Sequence, residues 1–336
     1  MERLSFTNKL LYIVNCLLAI SLLLSYLLPW VSPKVVPNFA IFSLLEPVLL
    51  LLNLMFIVYW ILQLKKQFLL SSITLCIGYF IISPLYKFEE KNTSKNNDLK
   101  IMTYNVRMFN HWRWIPDENI PNKIKSFIED KNPDVLLFQE FHGLEDPDFN
   151  YPYKYIKIKN KKSNIGLAIY SKFKIIHKGS LELQNTANNI IYADILKEKD
   201  TIRVYNLHIQ SLELNTNAKN FGQENSEKLI ARLRDGFKIQ AQQTTTFLNH
   251  ETKWKGKKII AGDFNNTAYS WVYKQIFDSK KDAFLEAGKG FGKTFNYWFP
   301  LRIDFILTNK NANVNKFIVF DKKYSDHFPV QARIHW

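Results

Sequence analysis

The chain has 336 residues, with 45 Lys and Arg against 30 Asp and Glu, a formal net charge of +15. Its two cysteines, Cys16 and Cys76, lie in apolar runs, which excludes a disulfide framework or a cysteine-based metal site from the polar remainder. Only five basic and two acidic residues fall in positions 1–86, so the surplus belongs to residues 87–336 and suits a polyanionic partner, nucleic acid or an anionic lipid surface, although a solvated basic surface has the same composition.

Three apolar runs open the chain, at 10–28, 47–64 and 68–86. Each is near the ~20 residues that carry a helix across a hydrocarbon core. A cleaved signal peptide is disfavoured, because Pro29, Trp30 and Pro33 crowd the exit of the first run and a second run follows closely. Residues 1–86 therefore read as a membrane anchor with three transmembrane helices. Asn15 and Asn53 read as helix–helix contacts. Arg3 and Lys9 precede the first run, and Lys65 and Lys66 join the second to the third, whereas the first loop holds only Lys34. Positive-inside bias then places the N-terminus in the cytoplasm and everything after the third run on the non-cytoplasmic side of a plasma (inner) membrane.

Residues 87–99, KFEEKNTSKNNDL, read as a flexible polar linker. From position 100 the pattern turns to short β-like runs, at 101–106, 135–139, 166–170, 190–195, 202–207, 258–262, 303–307, 317–320 and 329–334. Helices are expected over 121–130, 224–250 and 270–277. Residues 100–336 thus read as one α/β domain large enough to bury a sizeable core.

Several strands end in polar residues where the apolar run stops. The first carries Asn105, and DVLLFQE ends at Glu140. His208 follows NL, Asp263 and Asn265 sit in GDFN, Asp304 opens DFIL, and Asp326 and His327 stand in SDHFPV. Singly, each reads best as a turn-satisfying or structural residue. Together, carboxylates, amides and histidines recur at the ends of strands, where an α/β scaffold holds its site.

The ordered set YNVR, LLFQE, NLH, GDFN, RIDFIL and SDHFPV resembles the endonuclease/exonuclease/phosphatase superfamily over residues 100–336. The resemblance implies a four-layered α/β sandwich, two packed mixed β-sheets flanked by helices, here preceded by the three transmembrane helices. It implies a metal-dependent phosphoesterase that hydrolyses phosphodiester bonds by water attack. A hard divalent cation neutralises an anionic phosphoester, and oxygen ligands without cysteine favour Mg²⁺ or Mn²⁺. Glu140, Asn105 and Asp326 are the expected metal ligands. Asp263 is expected to orient or deprotonate the water, Asn265 to bind a phosphate oxygen or help place that water, and Asp304 to fix His327 for transition-state stabilisation. His208 is expected to bind the same phosphate. Arg302 and Asn189 are secondary candidates for substrate contact. Nucleic acid is the favoured substrate, with a lipid headgroup or another small phosphoester as the alternative; a catalytically inactive, membrane-tethered binding protein is the reading from another class. The bilayer is the other expected partner, and no obligate protein partner is evident.

Overall fold

The computed structural model describes residues 4–160, 162–213 and 226–336. It begins with α1 (Phe6–Ser25), the short α2 (Pro37–Ala40), α3 (Phe42–Leu62) and α4 (Phe68–Ile81). The first and third are 20 and 21 residues long and apolar enough to cross a membrane. The third expected span is shorter: α4 has 14 residues, a rise of about 21 Å, because the chain turns extended at Ile82 and reaches Pro84. A polar chain ties the bundle. Asn15 Nδ2 donates to Ser71 Oγ at 2.6 Å, Ser71 donates to Asn53 Oδ1 at 2.9 Å, and Trp60 Nε1 donates to Asn15 Oδ1 at 2.9 Å. The expected helix–helix role of Asn15 and Asn53 is what the bundle uses them for.

The remainder runs β1 (Leu99–Asn105), α5 (Ile120–Lys131), β2 (Val135–His142), β3 (Tyr153–Asn160), β4 (Ile165–Ser171), β5 (Lys174–Ser180), β6 (Asn189–Lys197), β7 (Asp200–His208), α6 (Ser226–Glu251), β8 (Lys257–Asp263), α7 (Trp271–Phe277), β9 (Lys280–Asp282), α8 (Ala283–Ala287), β10 (Asp304–Asn309), β11 (Asn313–Val319) and β12 (Val330–His335). The first two residues of the expected 224–250 helix lie outside the described residues.

Two six-stranded sheets result, ordered β11-β12-β1-β2-β4-β3 and β5-β6-β7-β8-β10-β9. Alternate side chains decide the layers. Ile101, Val135, Leu137 and Ile169 of the first sheet meet Ile191, Val204, Ile259 and Ile306 of the second. The intervening Met102, Leu136 and Phe138 pack under Ile124 and Phe127 of α5. On the far side, Tyr205, Leu207, Ile260 and Phe305 pack under Phe247 of α6 and Val272 and Ile276 of α7. Strands covered on both faces read as unbroken apolar runs, which is why they were legible. The strands outside the expected runs, β3, β5 and β9, are sheet edges: lysine interrupts the apolar residues of β3 and β5, a common protection of exposed edges, and the three residues of β9, KKD, contain no apolar run.

Residues 87–98 are not the free linker their composition suggests. Lys87 and Gly290 exchange backbone hydrogen bonds at 2.9 and 2.8 Å, Thr93 N donates to Asn315 O at 2.9 Å, and Asn315 Nδ2 donates to both Asp98 carboxylate oxygens. Polar composition made this segment soluble, but its backbone groups found partners along the domain.

Candidate active site

One parallel pair in each sheet sets the geometry. β1 and β2 are parallel, as are β7 and β8, so their carboxyl ends coincide. Those ends carry Asn105, Glu140, His208 and Asp263. The antiparallel neighbours β10 and β12 start where the others finish, which brings in Asp304, opposite Asp263 in register, and His327 just before β12. Glu140 sits at a register break in β2 with φ +48°, which turns its side chain out of the strand alternation. Gly262, at φ +137°, lets β8 approach the Leu207 carbonyl immediately before Asp263.

The side chains interlock. Asn105 Nδ2 donates to Glu140 Oε1 at 3.2 Å and to Asp263 Oδ2 at 3.0 Å. Asp263 Oδ1 accepts the Asn265 backbone N–H at 2.7 Å. Asp304 Oδ2 lies 2.9 Å from His327 Nδ1, and His327 Nε2 lies 3.6 Å from Asp263. His208 Nε2 stands 3.8 Å from Glu140 and 3.7 Å from Asp263. These are not hydrogen-bond distances, and the nitrogen is enclosed without a partner. A pocket of about 140 Å³ exposes Glu140, Asn265, Asp326 and His327.

Burial and neighbouring charge separate the two histidines. Burial lowers both, and the His327 charge lowers His208 further, to about 3, so it stays neutral. At His327 the Asp304 and Asp263 carboxylates outweigh burial and raise it to about 10, so it carries a proton at neutral pH. Burial, with Asp326 nearby, raises Glu140; burial and Asp304 raise Asp263, opposed by His327.

This excess of buried carboxylate fits a divalent cation. Glu140 and Asp326 face one pocket as hard oxygen donors with Asn105 beside them, and the unpartnered Asp304 Oδ1 adds uncompensated acceptor capacity. Asp263, Asp304 and His327 also have ligand atoms within 4.8 Å of one another. A protonated imidazole is no ligand, however, so the Glu140 side is the better fit.

Eight of the ten expected residues gather here, and two do not. Arg302 Nη1 pairs with buried Asp282 at 2.6 Å and Nη2 reaches Ser83 Oγ at 3.3 Å; packed against Phe284 and Phe305, it is held as a structural cation and does not line the pocket. Asn189, opposite His208 across β6 and β7, spends its amide on Ser180 Oγ and the Leu183 N–H. Conversely, Arg107 of the YNVR run lines the pocket and pairs with Asp326 at 3.1 Å, and Ser325 donates to the Asn105 carbonyl at 2.8 Å. Both stood inside quoted motifs. Behind the site, Gln139 Nε2 donates to Asn206 Oδ1 at 2.6 Å and links the two sheets. A second cluster outside the pocket joins His111 Nδ1 to Glu145 at 2.8 Å, with His142 stacked on His111 at 4.1 Å.

A model of the endonuclease/exonuclease/phosphatase family matches residues 102–327, and a model of a domain of unknown function matches residues 8–85. Solved structures share the fold. Truncated Caenorhabditis elegans TDP2 has a TM-score of 0.52 at 15% identity, covering 72% of this chain and 99% of that one. The human Nocturnin catalytic domain has 0.54 at 16%, covering 74% and 97%. The mannosyl-6-phosphatase of Bacteroides thetaiotaomicron VPI-5482 has 0.52 at 16%, covering 71% and 100%. No curated protein sequence matches the chain.

Proposed function

Because the chain belongs to the endonuclease/exonuclease/phosphatase family, we propose that it is a membrane-anchored, divalent-metal-dependent hydrolase that cleaves a phosphoester by water attack. The observation that carries this reading is the protonated His327 held between Asp304 and Asp263 on the same pocket as Glu140. Water adds to phosphorus, the ester P–O bond breaks, and the departing alkoxide takes a proton from solvent to leave as an alcohol. Asp263, made more basic by burial, accepts a proton from the water. Asp304 fixes the tautomer of His327, and the imidazolium stabilises the negative charge that grows on the phosphoryl oxygens. His208, held neutral, contributes a hydrogen bond to the phosphate rather than charge. Asn265, its backbone N–H on Asp263, orients that carboxylate and faces the phosphate. A Mg²⁺ or Mn²⁺ ion at Glu140, Asn105 and Asp326 would supply charge neutralisation and polarise the scissile bond.

Anchoring draws support from α1 and α3 with their exposed apolar faces, joined by the shorter α4. The catalytic domain packs against the α1–α3 connection, where Lys34 Nζ donates to Thr245 at 2.9 Å. The Lys65–Lys66 turn is at the other end of the bundle, and positive-inside bias then favours the non-cytoplasmic face for the domain. A nucleic acid substrate has one specific support: a cleft of about 550 Å³, reached at Phe328 next to His327, carries Lys289, Lys293 and Lys323 against Glu90 and Asp321.

The test is full-length protein in detergent with p-nitrophenyl phosphate and bis-p-nitrophenyl phosphate, with Mg²⁺ or with chelator. Hydrolysis is expected only with metal, and Glu140→Gln, Asp263→Asn and His327→Ala should each lose at least about 100-fold in kcat. Turnover unaffected by chelator, or near-normal in any variant, refutes the assignment. An inert wild type that binds phosphoesters makes it a binding protein.

A further inference from the structure

We propose that the membrane anchor forms one wall of the substrate pocket, and that this pocket takes a phosphoester whose apolar portion stays in the bilayer. The proposal rests on the phosphoesterase reading above and names the substrate class for it. Leu44, in the first turn of α3, lines the same cavity as Glu140, Asp326 and His327. Leu212, Phe295, Leu301 and Ile303 complete an apolar side facing this polar one.

Leu44 is held there by a specific clasp. Pro47 has no N–H, so the Ser43 carbonyl one turn earlier loses its helical partner. Thr267 Oγ1, two residues after Asn265, donates to that carbonyl at 3.2 Å. The loop that carries a candidate site residue therefore grips the anchor helix directly. Apolar packing extends the contact on both sides. Ala40, Ile41 and Leu44 meet Leu212, Leu233 and Phe237. Val48 and Leu85 meet Phe295, Leu301 and Ile303.

From Leu44 the helix runs on into a surface the domain does not cover: Leu45, Leu54, Met55 and Val58 are exposed. A helix this apolar puts that face in lipid, and its domain end then lies at headgroup depth. A phosphate at Glu140 and His327 thus sits at the level of lipid phosphates, with an apolar wall leading back to the hydrocarbon. Charge points the same way. Arg107 is the one Lys or Arg on the pocket among the described residues, and Asp326 already pairs with it. The lysines that would serve a nucleic acid, Lys289, Lys293 and Lys323, line the neighbouring cleft and not this pocket, and one phosphate beside an apolar group needs no such run of cations.

The experiment uses full-length protein in phosphatidylcholine nanodiscs with Mg²⁺. Dioleoyl phosphatidic acid and dioleoyl phosphatidylglycerol in the disc are compared with their soluble dihexanoyl counterparts and with a 12-mer oligonucleotide. Wild type should prefer the long-chain member of a pair in kcat/KM, and Leu44→Asn or Leu44→Trp should lower that preference at least tenfold. An unchanged preference in both variants, or selective cleavage of the oligonucleotide, overturns the proposal. A second readout is independent of turnover. Phosphatidic acid with a photoreactive diazirine near the glycerol should label Leu212 and Leu301, which line the pocket and are buried from the outer surface. Absence of label there refutes the wall even if soluble phosphoesters are hydrolysed. Label there with no hydrolysis of any phosphoester refutes the enzymatic reading and keeps the bilayer-facing pocket.

Discussion

At the scale of single residues, the candidate site sets like and unlike charges at fixed spacing in a largely buried setting. The Asp304 carboxylate at 2.9 Å raises His327 because it favours the imidazolium over the neutral ring. In Asp304→Asn that carboxylate is gone, so His327 gives up its proton at lower pH. The alkaline limb of the pH–rate profile should move down, and kcat should fall at least about 100-fold; an unmoved limb assigns it to another group. Arg302 shows the opposite case, a cation used for structure. Arg302→Ala leaves Asp282 buried and unpaired, which should cost about 3–5 kcal/mol in denaturant unfolding. A phosphate contact would instead raise KM at ordinary stability.

At the scale of elements, the parallel pairs β1–β2 and β7–β8 bring four side chains from distant sequence positions to one edge. Their precision depends on backbone irregularities next to the site. A Cβ on Gly262 would stand 2.0 Å from the Leu207 carbonyl at a φ that L side chains rarely adopt. Gly262→Ala should therefore destabilise by about 2 kcal/mol or more and displace Asp263 from Asn105. Thermal denaturation beside kcat on a soluble nitrophenyl ester measures both. Wild-type behaviour in each would show that β8 has slack there.

For the whole molecule, the segment 87–98 limits how freely the domain moves over the N-terminal helices. Lys91 N donates to Ala287 O at 3.4 Å and Lys91 Nζ to Val314 O at 2.8 Å, beyond the Lys87–Gly290 bridge. A segment secured this way opens only with the elements that hold it. Trypsin should then spare Lys87 and Lys91 in the folded full-length protein and cut them as it unfolds, as read by mass spectrometry. Early cleavage at either would restore a free linker and loosen the link between the domain and the N-terminal helices.

Local chemistry alone determined much of this protein. Unbroken apolar runs marked strands buried on both faces, and polar residues at their ends marked Asn105, Glu140, His208, Asp263, Asp304 and His327 as a constellation. The apolar N-terminal runs needed only their length and composition to be seen. What depended on neighbours was not legible. Arg302 and Asn189 had suitable chemistry for a site, but Asp282 lies beside one and Ser180 beside the other only after β9 and β5 take their places. Polar composition could not say that residues 87–98 would find backbone partners near Gly290 and Asn315. Nor could it bring Leu44 of α3 to the pocket of His327, about 280 positions away. A side chain's type is encoded at its own position, but its partners are set by the packing of distant segments, which only the tertiary structure decides.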